Sequence, residues 1–318
     1  MILSMAVSDP KSGNPFCYTG GTDGSIRMWR IPAANSPTYT PYDPKINSGE
    51  VLAENLDAVW CLRAHPVKNL VVSVSANGLV KLWSPETKKS ILTLEKAESA
   101  SPTSADFLHT DLKKIVVSYS NSKAHVFDIE TGKPILELES NATSGDELSF
   151  LSSSLSIFPS FFFLFFFSFF FPTNIFHPHP FRTPFLTSLS LSLFRAVDNS
   201  PLTQINQIIT HPTLPLAITG HEDKYIRFFD LNTGSCANSM VAHLDAVSSL
   251  AINPNGLGLV SGGHDSSVRF WDINSRACTQ EFTSHRKKYS EGVHSLAFHP
   301  TTPILASGGA DATVRVYN

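Results

Sequence analysis

Four aspartates, Asp23, Asp223, Asp265 and Asp311, stand in near-identical surroundings along a chain of 318 residues. The phrases around them read GGTDGSIRMWR (20–30), TGHEDKYIRFFDL (219–231), SGGHDSSVRFWDI (261–273) and SGGADATVRVYN (307–318). Carboxylates can serve as general acids, bases or metal ligands. The pattern points elsewhere. Each Asp follows a run ending in small residues and precedes an alternating segment such as Val268-Arg269-Phe270-Trp271, which places it in a tight hairpin turn. There its carboxylate accepts hydrogen bonds from nearby backbone N–H groups, and a neighbouring Gly supplies positive φ. A group that returns once per structural unit marks architecture, not a single catalytic centre. The chain has no Gly-x-Ser-x-Gly elbow, no phosphate loop and no His pair at metal spacing outside a segment of odd composition that holds His177 and His179. Cys17, Cys61, Cys236 and Cys278 lack paired metal spacing and read as buried thiols of a reducing compartment. No catalytic, cofactor-binding or metal-binding residue is expected, and the chain reads as a non-enzyme.

The elements that carry these turns are strands. Weaker copies of the phrase run SVSANGLVKLWSP (73–85) and VSYSNSKAHVFDI (117–129), with Asn77 and Asn121 in the turn. Ahead of the copies lie strand–turn segments such as DAVWCLRAHPVK (57–68), INQIITHPTLP (205–215), DAVSSLAINPNG (245–256) and GVHSLAFHPTTP (292–303). One unit is therefore a small antiparallel sheet, repeated about six times. Asp223 to Asp265 is 42 residues, Asp265 to Asp311 is 46, and Asn77 to Asn121 is 44. This is the period of a four-stranded propeller blade, with its Trp-Asp signature intact at Trp271-Asp272. The expected fold class is an all-β propeller of about six recognisable blades, plus an insert that belongs to none of them.

The insert announces itself by breaking the rhythm, since Asn121 to Asp223 is 102 residues. Residues 149–194 are almost wholly Phe, Ser, Leu and Pro. The apolar run Leu155–Phe171 is interrupted by Pro159 and lacks basic flanks, so a membrane span, which needs about 20 apolar residues, is disfavoured. These residue types have pyrimidine-rich codons, as in the tract before a splice acceptor. The insert reads as intron-derived and disordered, and removing it restores an even spacing. Three segments follow: N-terminal blades over 1–144 with a truncated first blade, the insert over 145–195, and C-terminal blades over 196–318.

Net charge is −3 and the pI is about 6.4, which excludes the strongly basic footprint of a nucleic-acid binder. No targeting signal is visible, so a cytoplasmic location is expected, with no membrane contact outside the Phe-rich insert.

The recurring turn Asp, the Trp or Phe and the loop His resemble the WD-repeat propellers, in which a blade often joins His, Ser or Thr, Asp and Trp by hydrogen bonds. Carried over to this chain, that set is His243, Ser261, Asp265 and Trp271, then His285, Ser307 and Asp311 with Tyr317 in place of Trp. Asp23 and Asp223 are its turn members in two further blades. The blade at 56–85 lacks both the loop His and the Asp. The runs ITHPTLPLAITGHEDKYIRFFDLNTG (209–234) and SMVAHLDAVSSLAINPNGLGLVSGGHDSSVRFWD (239–272), with LDAVWCL and ILELESN upstream, resemble the C-terminal propeller of the striatin family. That resemblance implies seven blades. It also implies a scaffold, a regulatory subunit that assembles protein phosphatase type 2A with kinases and a Mob-family protein. The family's coiled-coil and calmodulin-binding segments have no counterpart in this sequence, so partners of those segments are not expected.

Loops on a rigid scaffold carry binding. The candidate partner contacts are Trp60, at the position held by Ser248 and His294 in sister strands, and the basic loop Arg286, Lys287, Lys288 and Tyr289. Trp is enriched at interface hot spots; in a blade it can equally serve inter-blade packing. A different WD-repeat adaptor, such as a ubiquitin-ligase substrate receptor, is the alternative reading.

Overall fold

The computed structural model describes residues 2–8, 16–30, 49–54, 57–94, 100–139, 203–286, 292–299 and 304–317. The insert over 145–195 and the loop residues Lys287, Lys288 and Tyr289 lie outside them. Every regular element among the described residues is a strand. In chain order these are β1 (Ile2–Val7), β2 (Phe16–Gly21), β3 (Ser25–Arg30) and β4 (Glu50–Glu54); β5 (Val59–Ala64), β6 (Val71–Ser75), β7 (Val80–Ser84) and β8 (Lys89–Leu94); β9 (Pro102–Phe107), β10 (Lys114–Tyr119), β11 (Lys123–Asp128) and β12 (Pro134–Glu139); β13 (Ile205–Thr210), β14 (Leu216–His221), β15 (Tyr225–Asp230) and β16 (Cys236–Val241); β17 (Val247–Ile252), β18 (Gly258–Gly263), β19 (Ser267–Asp272) and β20 (Cys278–Thr283); and β21 (Val293–Phe298), β22 (Leu305–Gly309) and β23 (Val314–Tyr317). Each group is one antiparallel meander, four strands in the first five and three in the last. The fold is an all-β propeller arrangement of six sheets. The N-terminal sheet carries four strands, and β1 is as long as β5 or β9.

The core lies between sheets rather than inside any one of them. Cys61, Val74 and Leu82 of the second sheet pack on Ala105, Phe107 and Ile115 of the third. Four further clusters join the remaining consecutive pairs in the same way. A strand sandwiched between two sheets is buried on both faces: β6, Val-Val-Ser-Val-Ser, is buried throughout, and its two serines find partners there, Ser73 taking the Trp83 indole N–H and Ser75 donating to Asn77. Outer strands behave oppositely, and β20 is exposed at every residue. Blade-to-blade contact is close enough to demand glycine: a Cβ on Gly262 would stand 2.5 Å from Cγ1 of Val293 in the next sheet. The outward face of the last sheet has no such neighbour among the described residues, and Val314 and Val316 are 74% and 66% exposed.

The cysteines depart from the expectation of buried thiols. All four are free, but Cys61 alone is buried; Cys17 and Cys236 are half-buried and Cys278 is exposed, because β20 has no sheet outside it.

Candidate protein interaction rim

One rim of the propeller is built by a repeated device. The turn between the second and third strands is latched to the loop that enters the first strand, by Ala76 N–H to Ala58 C=O (2.8 Å), Ser120 to Ser101 (2.9 Å), Glu222 to Gln204 (3.0 Å), His264 to Ala246 (2.9 Å) and Ala310 to Gly292 (2.9 Å). Inside each turn the Asp or Asn carboxyl or amide oxygen accepts the N–H two residues on, as Asp265 does from Ser267 (3.1 Å) and Asn77 from Leu79 (3.1 Å). The residue between adopts positive φ in all six sheets. Glycine fills it at Gly24 and Gly78, whereas Ser122, Lys224, Ser266 and Ala312 hold it at φ 60–77°. Such non-glycine residues are strained by about 1 kcal/mol or more.

Below the rim lie the polar clusters. In the fifth sheet, Asp265 faces His243 Nδ1 at 3.0 Å, His243 Nε2 lies 2.7 Å from Ser261 Oγ, and Trp271 Nε1–H donates to the same hydroxyl at 2.8 Å. Pairing with a carboxylate assigns the imidazole proton to Nδ1. A Cβ on Gly263 would stand 2.5 Å from that nitrogen, so glycine there makes room for the ring. Burial raises the Asp265 pKa, but the His243 hydrogen bond and charge outweigh it and hold the carboxyl well below the usual range. The last sheet repeats the set, with His285 to Asp311 at 3.0 Å, His285 to Ser307 at 2.7 Å and Tyr317 OH to Ser307 at 3.2 Å. Serine, histidine and aspartate stand in the order of a nucleophilic triad. Ser261 is fully buried and its hydroxyl also takes the indole N–H, so no substrate reaches it.

Upstream sheets carry reduced versions. Trp83 Nε1–H donates to Ser73 Oγ (2.8 Å) and Trp29 Nε1–H to Thr19 Oγ1 (2.9 Å). In the sheet that lacks the loop His and the Asp, Ser75 Oγ–H donates to Asn77 at 2.6 Å instead. Asp23 is exposed and caps Ser25. The fourth sheet moves its histidine. His221 occupies the strand position that is Gly263 in the fifth sheet and turns its own ring inward, with Nε2 2.7 Å from Thr219 Oγ1. Asp223, relieved of a histidine, takes Arg227 in a two-point contact at 3.1 and 2.5 Å. Burial first and the Arg227 charge second push the His221 pKa down to about 3.

Trp60 sits on the rim at a β-bulge. Pairing of β5 with β6 skips from Val59 to Cys61, and the same skip recurs at Asn206, Ser248 and His294. A bulge re-aims its extra side chain. Asn206 uses it to donate to Val247 C=O (3.0 Å) and Ser248 to Val293 C=O (2.5 Å), each stitching its sheet to the next. An indole is too large for that stitch, and Trp60 is left 46% exposed. Arg286 is also exposed, with its N–H donated to Asp311 (3.1 Å). The expected group Arg286–Tyr289 is thus placed only at its first residue.

The family model described as "WD domain, G-beta repeat" matches residues 49–84, 234–272 and 276–318. Striatin-3 of Bos taurus is 36% identical over 295 residues, 92% of this chain and 30% of the relative. Striatin of Rattus norvegicus is 38% identical over 280 residues, 87% of this chain and 29% of the relative. Striatin-4 of Homo sapiens is 36% identical over 296 residues, 92% of this chain and 31% of the relative. The chain belongs to the WD-repeat proteins and is a homologue of the striatins. It spans about 30% of the length of the striatin-3 relatives it matches.

Two features of this striatin homologue escaped sequence reasoning. The relocated His221 had a signal, since TGHED carries His where SGGHD and SGGAD carry Gly. The bulge had none, because an extra residue in one strand shows only in its pairing with the next. Among the described residues of the homologue, no three His, Cys, Asp or Glu side chains are grouped to hold a metal ion, and no helix is long and apolar enough to cross a membrane.

Proposed function

We propose that this chain is a non-catalytic protein–protein interaction scaffold of the cytoplasm, a striatin-like regulatory module that helps assemble protein phosphatase type 2A with kinases and a Mob-family protein. Homology to the striatins supports the class, and the burial of Ser261, His243, Ser307 and His285 supports a structural use of those groups. One observation carries the assignment of the contact surface. Trp60 stands exposed at a bulge position that sister blades spend on inter-sheet stitching, so its size serves something outside the blade. Indole side chains bury large area at interfaces and dominate their energetics. Arg286 supplies a second, basic contact on the same rim, and Lys287, Lys288 and Tyr289, which lie outside the described residues, are proposed to act with it.

The test is affinity capture with the wild-type chain, Trp60→Ala and a control, Val67→Ala. Val67 is 71% exposed in the loop after β5, at the opposite rim. Phosphatase core, kinases and Mob-family protein are quantified. Loss with Trp60→Ala alone supports the proposal. Equal capture by all three chains removes Trp60, and capture of cullin-type partners instead replaces the striatin-like role with the ligase-receptor one.

A further inference from the structure

A glycine–valine lock joins consecutive sheets. A Cβ added at Gly20 would stand 2.7 Å from Val59 Cγ1 of the next sheet, at Gly220 2.8 Å from Val247 Cγ1, and at Gly262 2.5 Å from Val293 Cγ1. Gly308 holds the same register in the last sheet, opposite Ser295 as Gly262 is opposite Ser249. Among the described residues a Cβ there would meet only Ser295 Oγ of its own sheet, at 3.9 Å. The residue across the ladder from each glycine repeats the contrast. Ile26, Ile226 and Val268 are fully buried under the following sheet, whereas Val314 is 74% exposed. The first sheet carries the complementary half. Leu62, Leu250 and Leu296 turn back onto the preceding sheet and are 0%, 1% and 8% exposed. Met5 holds their place in β1, opposite Thr19 as Leu250 is opposite Ser261, and it is 60% exposed. The last sheet thus lacks a cover on its following face and the first sheet lacks one on its preceding face, and neither covers the other.

These faces are the two halves of an interface that the chain already makes between its consecutive sheets. Contiguous exposed apolar faces mark association sites, and a surface that fits a different surface of the same molecule pairs head to tail. We infer that a second copy of this chain seats its first sheet on the last sheet of this one, β1 crossing Gly308 and Val314 as β21 crosses Gly262 and Val268. The occupant is a second copy because the face calls for a first strand with an aliphatic side chain at the Leu296 position, and β1 offers Met5 there uncovered. A polar stitch goes with it. Leu250 N–H donates to Gln207 Oε1 of the preceding sheet (2.7 Å) and Leu296 N–H to Ser249 Oγ (3.0 Å). Ser295 stands at the Ser249 register to accept Met5 N–H of the second copy. Each docked copy still presents one uncovered face, so the contact propagates.

The test is analytical ultracentrifugation of the full chain with two blocked variants, Val314→Lys on the last sheet and Met5→Lys on the first. The wild-type weight-average mass is expected to rise with concentration across roughly 1–100 μM. Each variant alone should stay at the 34.8 kDa of one chain, because every copy in the tube lacks the same half. Mixed in equal amounts, the variants should form a species of twice that mass and no larger, since Met5 of one copy meets Val314 of the other. Both side chains are exposed, so thermal midpoints at the dilute end should match the wild type; Val316→Lys, also on the exposed face, replaces Val314→Lys if that chain does not fold. A wild-type mass that stays at one chain assigns the faces to another sheet and overturns the proposal. Association that persists unchanged in either variant arises elsewhere in the chain and overturns it too, as does a mixture that remains at one chain.

Discussion

His221 gives the sharpest pH signature of the fold. Its ring is fully buried beneath the rim turn, and its pKa falls to about 3 because burial and then the Arg227 charge oppose protonation. In the unfolded chain the ordinary value is about 6.5, so between these limits the unfolded state binds the proton that the folded state refuses. Stability then rises with pH across that window, is complete above the unfolded value, and drains away as pH falls from 6.5 toward 3. Going from pH 7.5 to about 5 the loss amounts to roughly 2 kcal/mol. The substitution that isolates it is His221→Ser, because Ser75 occupies this position in the second sheet. Thr219 keeps its bond to Arg227 C=O. Asp265 does not interfere, since its depressed carboxyl pKa contributes stability that is lost only below the ordinary carboxylate range, about pH 4. Urea unfolding of both chains at steps from pH 7.5 to 5 reads the difference. The wild type should lose roughly 2 kcal/mol more than the variant over that interval. Parallel pH profiles would refute a buried, neutral His221.

The remaining predictions concern the blade framework. Ser261→Ala strips a partner from both His243 Nε2 and the Trp271 indole, two buried groups, and should cost about 2–4 kcal/mol in chemical denaturation. Ser307→Ala should cost less, about 1–2 kcal/mol, because Tyr317 is half-exposed and reaches water in compensation; equal costs would show that burial does not set the difference. Ala312→Gly relieves a φ of 60° and should raise the thermal midpoint, a gain of up to about 1 kcal/mol, whereas a lower midpoint would contradict the strain assigned to that turn.

The sequence made much of this architecture legible because its strongest constraints are local. An Asp that must accept the N–H two residues on, next to a residue forced into positive φ, leaves a recognisable phrase wherever it occurs, and six copies, with intervals of 44, 42 and 46 residues among them, disclose the sheets before any contact is known. The fifth sheet's polar set was legible for the same reason, as Ser261 and Trp271 keep the offsets from Asp265 that Ser307 and Tyr317 keep from Asp311, with His243 in the loop ahead. Legibility ended where a residue's role depends on space left by others. His221 matters because the fourth sheet has no loop histidine to fill the pocket that Gly263 leaves open in the fifth. Trp60 was marked as a contact by its type and register, but the bulge that exposes it arises from pairing with β6. Cys278 read as a buried thiol because it stands in a strand-like segment without metal spacing, and the absence of a covering sheet among the described residues exposes it.

The central claim is that the rim around Trp60 binds a protein while the Ser–His–Asp sets beneath it only hold the blades. The most direct measurement compares quantitative capture of phosphatase core, kinases and Mob-family protein by Trp60→Ala with that by wild type, alongside their thermal midpoints. The account predicts capture reduced by about tenfold or more, the loss of one hot-spot side chain, with an unchanged midpoint. Undiminished capture by a folded Trp60→Ala chain would contradict it.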